Sequence, residues 1–314
     1  METNLRLNVV DAGARYGIHP SLDEIKHIAS FHLFEIDGTE AQRLTEKYKQ
    51  FENIDVYHLG LGSGNSLRKV NIRRHPGLSG FLDTNEAVFE DTDYMKDEIA
   101  VTGVSEVGCV TLDDFLAEDM HFIKLDTEGT ELEILKGAAR HLQGGALGVR
   151  SEVQIGRFYK GQGFFSEINA LLLGYGFELL NLDYDGRGVM RSRFTLPGRY
   201  GFIAGFDAIW CKRKSLLLGG AVPGEIRDNV IRMALFYMLN NATDCALDIL
   251  LSAVDTLGLS FGQYADDPVF LHLMAQVGML FYRLERMPYF KKGELDETFA
   301  RIFNREPVSP FMRE

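Results

Sequence analysis

The chain has 314 residues, 46% of them hydrophobic and 25% charged, and a net charge of −12. That length buries a large core in one or two domains, and the composition is that of an ordinary globular protein. The acid excess argues against a nucleic-acid partner, because no basic stripe offsets it. Arg73-Arg74 and Lys212-Arg213-Lys214 are short basic runs that read as solvated edges. Three scattered cysteines, Cys109, Cys211 and Cys245, form no CxxC and fit a reducing, cytoplasmic setting. No signal peptide precedes the first strand, and the apolar run Val269 to Tyr282 is too short for a membrane span.

In chain order, Leu5, Leu7, Val9 and Val10 predict a strand leading into the acidic glycine turn Asp11-Ala12-Gly13-Ala14-Arg15-Tyr16-Gly17. Pro20 suits a first helical position, and Leu22, Ile25, Ile28 and Ala29 supply an apolar helix face. A second strand, Phe31 to Ile36, ends in Glu35-Ile36-Asp37-Gly38. A helix follows from about Thr39 to Tyr48, then a strand from Ile54 to Leu59 ending at Gly60-Leu61-Gly62-Ser63-Gly64. Strands alternating with helices at this spacing predict a parallel α/β sheet.

The turn after the first strand lets a ligand approach the backbone closely at Gly13. An acid at the end of the second strand, Glu35 or Asp37, accepts hydrogen bonds from a ribose diol. Such pairs serve both nicotinamide and S-adenosylmethionine sites. The phosphate-binding form needs G-x-G-x-x-G, whereas this turn has only Gly13 and Gly17 behind Asp11. An anionic Asp11 would repel a pyrophosphate and suit a sulfonium.

An irregular stretch comes next. Leu67 to Ile72 reads as a strand, His75 to Gly80 as a loop, and Val101 to Val110 as an edge strand or turn region. Loops of this kind shape ligand pockets. The richest segment is Phe122-Ile123-Lys124-Leu125-Asp126-Thr127-Glu128-Gly129-Thr130-Glu131-Leu132-Glu133. A short strand ends in Asp126, and carboxylates follow at Glu128 and Glu131 where a helix starts. Ligands sit at the carboxyl ends of strands in such sheets. Thr130 with Glu133 fits a capping box, and a helix-start role accounts for Glu131 and Glu133. It accounts poorly for Asp126, which precedes the turn. His121 before this strand reads as a surface residue, and His19 as a loop histidine ranked below the acids as a base.

Several motifs together resemble the FkbM-type S-adenosylmethionine-dependent methyltransferases. Asp11-Ala12-Gly13-Ala14 with Gly17 is similar to their opening DxGA motif, Phe34-Glu35 to their FE pair, and Thr111-Leu112-Asp113-Asp114 to their TLDD segment. Lys124-Leu125-Asp126-Thr127-Glu128-Gly129 with Glu131, Leu135, Lys136 and Gly137 resembles the KxDxEGxExxxLKG signature. Glu152 lies where the family often has a glutamate ending its fifth strand. The resemblance runs from about residue 7 to 212. It departs at Arg15, where the family usually has asparagine, and at Ile36, where it usually has proline.

The resemblance implies a Rossmann-like class I methyltransferase sheet, mostly parallel with one antiparallel strand. It implies S-adenosylmethionine as cofactor, held by Asp11, Gly13, Ala14, Gly17, Glu35 and Asp37. The implied acceptor is a hydroxyl of a small molecule or a sugar or glycan intermediate. A hydroxyl is a poor nucleophile at neutral pH, so a general base or metal is wanted. Asp126, Glu128 and Glu152 are the candidates for catalysis, and equally for holding Mg2+. An NAD-dependent enzyme and a non-catalytic binding module on the same fold are the alternatives.

The remaining strands are Leu147 to Val153, Phe177 to Leu182 and Phe202 to Cys211, with a helix from Phe164 to Leu173. The last two strands lack a crossover helix, so antiparallel pairing is expected. Asp183 to Tyr200 reads as a mobile polar loop near the site. Gly219-Gly220 and Pro223-Gly224 mark a linker, dividing residues 1–215 from a helical module, 216–314. Stripes at Ile226, Val230, Ala234 and Met238, at Ala246, Ile249, Leu250, Ala253 and Leu257, and at Val269, Leu273, Val277, Leu280 and Leu284 give its helices. A last short helix is expected over Glu294 to Phe303. Any exposed remainder of these stripes favours a homodimer or a partner contact through the module.

Overall fold

A computed structural model describes residues 5–90, 95–183, 189–190, 202–220, 222–287 and 291–304. In chain order the strands begin with β1 (Asn8–Ala12), β2 (Ser30–Phe34), β3 (Ile54–Tyr57), β4 (Gly60–Leu61), β5 (Ser66–Arg73) and β6 (Val101–Val110). They continue with β7 (Phe122–Leu125), β8 (Gly148–Gln154), β9 (Phe177–Asp183), β10 (Val189–Met190), β11 (Phe202–Ile203) and β12 (Gly205–Lys212). Seven of them form one sheet in the order β3-β2-β1-β7-β8-β12-β9. β1 is parallel to β2 and β7, β2 to β3, and β7 to β8. β12 runs antiparallel to β8. This is the mostly parallel sheet with an antiparallel strand that the sequence predicts.

Side chains alternate across a strand, and here the two faces differ in kind. One carries Val10, Ala12, Ile123, Leu125, Val149, Val153, Ala208 and Trp210 into the main core. Along the opposite face the register sets Asp11 beside Lys124 and Lys124 beside Arg150. Asp207 stands opposite Glu152 on the same side. Charges in the middle of an α/β sheet are costly unless paired or used, so this face leads towards the site.

The helices of this unit are α1 (Gly38–Tyr48), α2 (Glu86–Glu90), α3 (Leu112–Phe115), α4 (Glu131–Lys136), α5 (Ala139–Gln143) and α6 (Phe165–Gly174). The stretch expected to be helical after Pro20 is only a 3-10 turn, Pro20–Ile25. Val101–Val110 is not an edge: β6 lies between β4 and β5 in a separate sheet. The capping box is not formed either. The Thr130 hydroxyl donates to the Thr127 carbonyl, and Glu133 instead pairs with Arg68 at 2.6 Å. His121 is buried, accepting the Asn8 N–H on Nδ1 at 2.9 Å. The loop expected over residues 183–200 lies, apart from its first residue and β10, outside the described residues.

The chain forms two compact units, Asn8–Cys211 and Met1–Leu7 with Lys212–Glu314. Leu5 and Leu7, expected in the first strand, belong to the second unit. There the Leu5 N–H donates to Asp267 at 2.7 Å, and Arg232 donates to the Arg6 carbonyl at 2.8 Å. The second unit is helical: α7 (Lys214–Leu218), α8 (Pro223–Leu239), α9 (Thr243–Leu257), α10 (Pro268–Leu284) and α11 (Lys292–Phe303). α8 is buried on most of its circumference, including Ile231, Met233, Leu235 and Phe236 as well as the expected Ile226, Val230 and Ala234. Its second half, residues 230–239, is buried on nearly every side, as suits the centre of a unit. Among the described residues no helix is long and apolar enough to cross a membrane.

Candidate active site

The carboxyl ends of β1, β2 and β7 open into one cleft, lined among others by Gly13, Glu35, Gly60, Asp126 and Glu128. Its far wall comes from the excursion between β5 and β6, through Pro76, Gly77, Ser79 and Phe81.

Gly13 sits where β1 turns away, with φ +75°. A Cβ there would run into the carbonyl oxygen of Asp126. Only glycine allows both that dihedral and that approach. The N–H groups of Gly13 and Ala14 both donate to the Phe34 carbonyl, at 3.1 and 3.2 Å, which ties the turn to β2. Gly17, at φ +108°, turns the chain where a Cβ would strike Tyr48 and Lys47. Ala14 and Gly17 therefore shape the turn, while Gly13 reaches the cleft.

Glu35 lines the cleft and is buried, with its Oε1 accepting the Asp37 N–H at 2.8 Å. Burial pushes its pKa up to about 6. Asp37 does not line the cleft. It caps α1, accepting the N–H groups of Thr39 and Glu40, and pairs with Arg15 at 3.1 Å. Arg15, one of the departures noted in the sequence, is thereby accounted for as the partner of a helix cap.

Asp11 is wholly buried beneath the turn and does not reach the cleft. Its Oδ2 accepts the His19 N–H at 2.8 Å, and its Oδ1 lies 3.0 Å from Lys124 Nζ. Its charge is thus neutralised internally, so the expected repulsion of a pyrophosphate by Asp11 does not operate. Burial lowers the pKa of Lys124, but Asp11 and Asp126 raise it further, and the ammonium is held above its ordinary range. His19 accepts the Ser21 N–H on Nδ1 at 3.2 Å and so caps the 3-10 turn. Burial first, then Lys124 and Arg150, lowers its pKa and keeps it neutral.

Three carboxylates meet at the mouth. Asp126, Glu128 and Glu152 each bring one oxygen within 4.8 Å of the others. The Asp126 side chain is 46% exposed and lies 3.8 Å from Lys124. Glu128 is buried at φ +58°, a left-handed position that costs a non-glycine residue on the order of 1 kcal/mol. Burial and the nearby Asp126 push its pKa up to about 8, against the hydrogen bond it accepts from Tyr159 at 2.5 Å. Burial, Glu128 and Asp126 raise Glu152 well above the carboxylate range, and its buried Oε2 has no hydrogen-bond partner among the described residues. Glu131 has another task. Its Oε1 accepts the N–H groups of Thr127 and Gly129, at 2.7 and 3.3 Å, and so holds the turn that presents Asp126 and Glu128.

The all-oxygen donor set, with an orphaned buried oxygen among it, fits a hard divalent cation such as Mg2+. Sequence reasoning did not single out Tyr159 or the pairing partner Lys124. Lys124 carried a signal, a lone cation inside the apolar run Phe122 to Leu125. Tyr159 carried none, since it lies in a loop far from Glu128 in sequence.

A family profile described as the methyltransferase FkbM domain matches residues 11–179, more than half of the chain. Among solved structures, the chain is similar to the methyltransferase FkbM from Methylobacillus flagellatus KT. Identity is 16% and TM-score 0.38, over 66% of this chain and 44% of that one, so the chain spans under half of that protein's length. It is also similar to the magnesium protoporphyrin IX methyltransferase from Synechocystis PCC 6803, solved with bound S-adenosylmethionine. There identity is 15% and TM-score 0.33, over 67% and 72% of the two chains. No curated protein matches.

Proposed function

This chain belongs to the FkbM family of S-adenosylmethionine-dependent methyltransferases, and we propose that it methylates a hydroxyl of a small molecule or of a sugar or glycan intermediate. The observation that carries this reading is the single cleft joining Gly13, Glu35 and the Asp126–Glu128 turn. In it, Gly13 leaves room for the methionine portion and Glu35 accepts the ribose hydroxyls.

Among the described residues, the turn after β1 offers a pyrophosphate no full helix N-terminus. A dinucleotide site needs the N-terminus of a full helix after the first glycine turn. Here that place holds a 3-10 turn already capped by His19.

Methyl transfer is an in-line displacement: the acceptor oxygen bonds to the methyl carbon as the sulfur–carbon bond breaks, and the electron pair stays on sulfur. Positioning supplies most of the rate. Asp126, open to the cleft and anchored near Lys124, is the group placed to take the acceptor proton. Asp126, Glu128 and Glu152 are also the residues that would hold a Mg2+ ion, together with waters. When bound, the ion would lower the pKa of the acceptor hydroxyl. The matched domain, residues 11–179, lies within the Asn8–Cys211 unit, and the helical unit is proposed to mediate homodimer or partner contacts. The free cysteines suit a reducing cytoplasm.

Isothermal titration tests the donor reading. S-adenosylmethionine and S-adenosylhomocysteine should both give heats of binding and NAD none; silence with the first two sinks it. A panel of sugar, phenol and amine acceptors with labelled donor then tests the hydroxyl assignment. Mg2+ should raise the unfolding midpoint of the chain but not of Asp126→Asn/Glu152→Gln.

A further inference from the structure

Arg73, read from sequence as a solvated edge, is 1% exposed and lies beside the cleft. No carboxylate pairs with it among the described residues. Its guanidinium donates to the carbonyls of Leu78 and Leu82, both at 2.6 Å, and its main-chain N–H donates to Ser79 Oγ at 3.1 Å. The segment so tied, 76–82, is the far wall of the cleft, with Pro76, Gly77, Ser79 and Phe81 on its surface. The other side of Arg73 packs on Tyr159, with the guanidinium carbon 4.7 Å from the ring centre. Tyr159 in turn donates to Glu128 at 2.5 Å. Gly80, on the same wall, sits so close to Glu128 that an added Cβ would lie 3.2 Å from the glutamate Cβ.

A buried guanidinium with no carboxylate in direct ion-pair contact among the described residues is expensive. Its Nε even lacks a hydrogen-bond partner among the described residues. An apolar side chain of similar length would fill the space at less desolvation cost. What it would not do is bridge two carbonyls on the wall with one planar fork while stacking on an aromatic ring.

We propose that Arg73 is a positioning residue that fixes the wall over the donor cleft and locks it, through Tyr159, to the carboxylate turn. The inference rests on the reading of the cleft as the donor site. Donor binding and the placement of Glu128 are then set by one side chain that touches neither reacting atom. Lysine cannot replace it, because one ammonium does not span both carbonyls in a plane.

The test uses the full chain and S-adenosylhomocysteine as probe. Affinity is read by titration, and amide hydrogen exchange is followed over residues 76–82. In the native protein the probe should bind and protect that segment. In Arg73→Met the affinity should fall at least tenfold and the segment should exchange quickly with or without probe. Arg73→Lys should show the same loss, and it carries the test if the methionine variant does not fold. A folded variant of either kind that binds within twofold of the native protein, with the segment still protected, overturns the assignment. A native protein that fails to bind the probe overturns the donor reading itself, a result distinct from a variant that matches it.

Discussion

Lys124 and Asp11 are neighbours across the β1–β7 register, and their charges meet at 3.0 Å with both side chains almost wholly withdrawn from water. Lys124 also lies 3.8 Å from Asp126, so one ammonium faces two acids of unequal exposure. Asp11 has no other cation within ion-pair reach among the described residues.

Replacing Lys124 with methionine should therefore destabilise the fold by about 3–5 kcal/mol, the cost of stranding a buried charge. Adding Asp11→Asn should recover a large part of that loss. Denaturant unfolding of the two single variants and the double variant measures it. Additive losses would show that the pair is not coupled.

Glu35 gives a pH dependence. Burial raises its pKa to about 6, above its ordinary 4.5. The folded chain then holds a proton that the unfolded chain has lost between these values, so stability of the free protein falls slightly as pH rises from 4.5 to 6. Donor binding runs the other way, because a carboxylate accepts ribose hydrogen bonds better than an acid does. S-adenosylhomocysteine affinity should improve by up to ~10-fold from pH 5 to 7, following a single ionisation. Glu35→Gln should flatten that profile and bind more weakly throughout. An unchanged slope in the variant would move the titration to another group.

Asp126→Asn keeps the shape of the turn and removes charge and basicity. Turnover should fall by ~10²-fold or more, as for a lost general base. The melting temperature should stay close to native, because this side chain is half open to solvent. Near-native turnover would leave Asp126 as a turn residue only.

Much of this was legible in the chain itself, for physical reasons. The sheet is, because strand–helix alternation and the antiparallel last strand follow from periodicity and connection length. So is the meeting of Asp126, Glu128 and Glu152, because all three sit near the carboxyl ends of adjacent strands. What escaped depends on contacts distant in sequence. Asp37 and Glu131 look like ligand acids but are used by backbone N–H groups. Arg73 looks like a surface cation and is buried by an excursion whose path no periodicity announces. His121 looks exposed before a strand, yet the following fold closes over it.

A chain ending near Ser215 should still bind S-adenosylhomocysteine, because every group assigned to the cleft lies in the Asn8–Cys211 unit. It should be less soluble or change its oligomeric state, since Leu5 and Leu7 lose the helices they are buried among. Titration with circular dichroism decides: a folded fragment that cannot bind would show that the helices complete the site.

The helical unit is discontinuous, built from the first residues and the last hundred. During synthesis the sheet can close once Cys211 has emerged from the ribosome. Leu5 and Arg6, made before the sheet, must wait for Asp267 and Arg232, made much later. The segment at residues 5–7 is thus parted from its native neighbours by the whole length of the sheet unit. A nascent-chain binder on that segment would delay the helices while leaving the sheet to form on time.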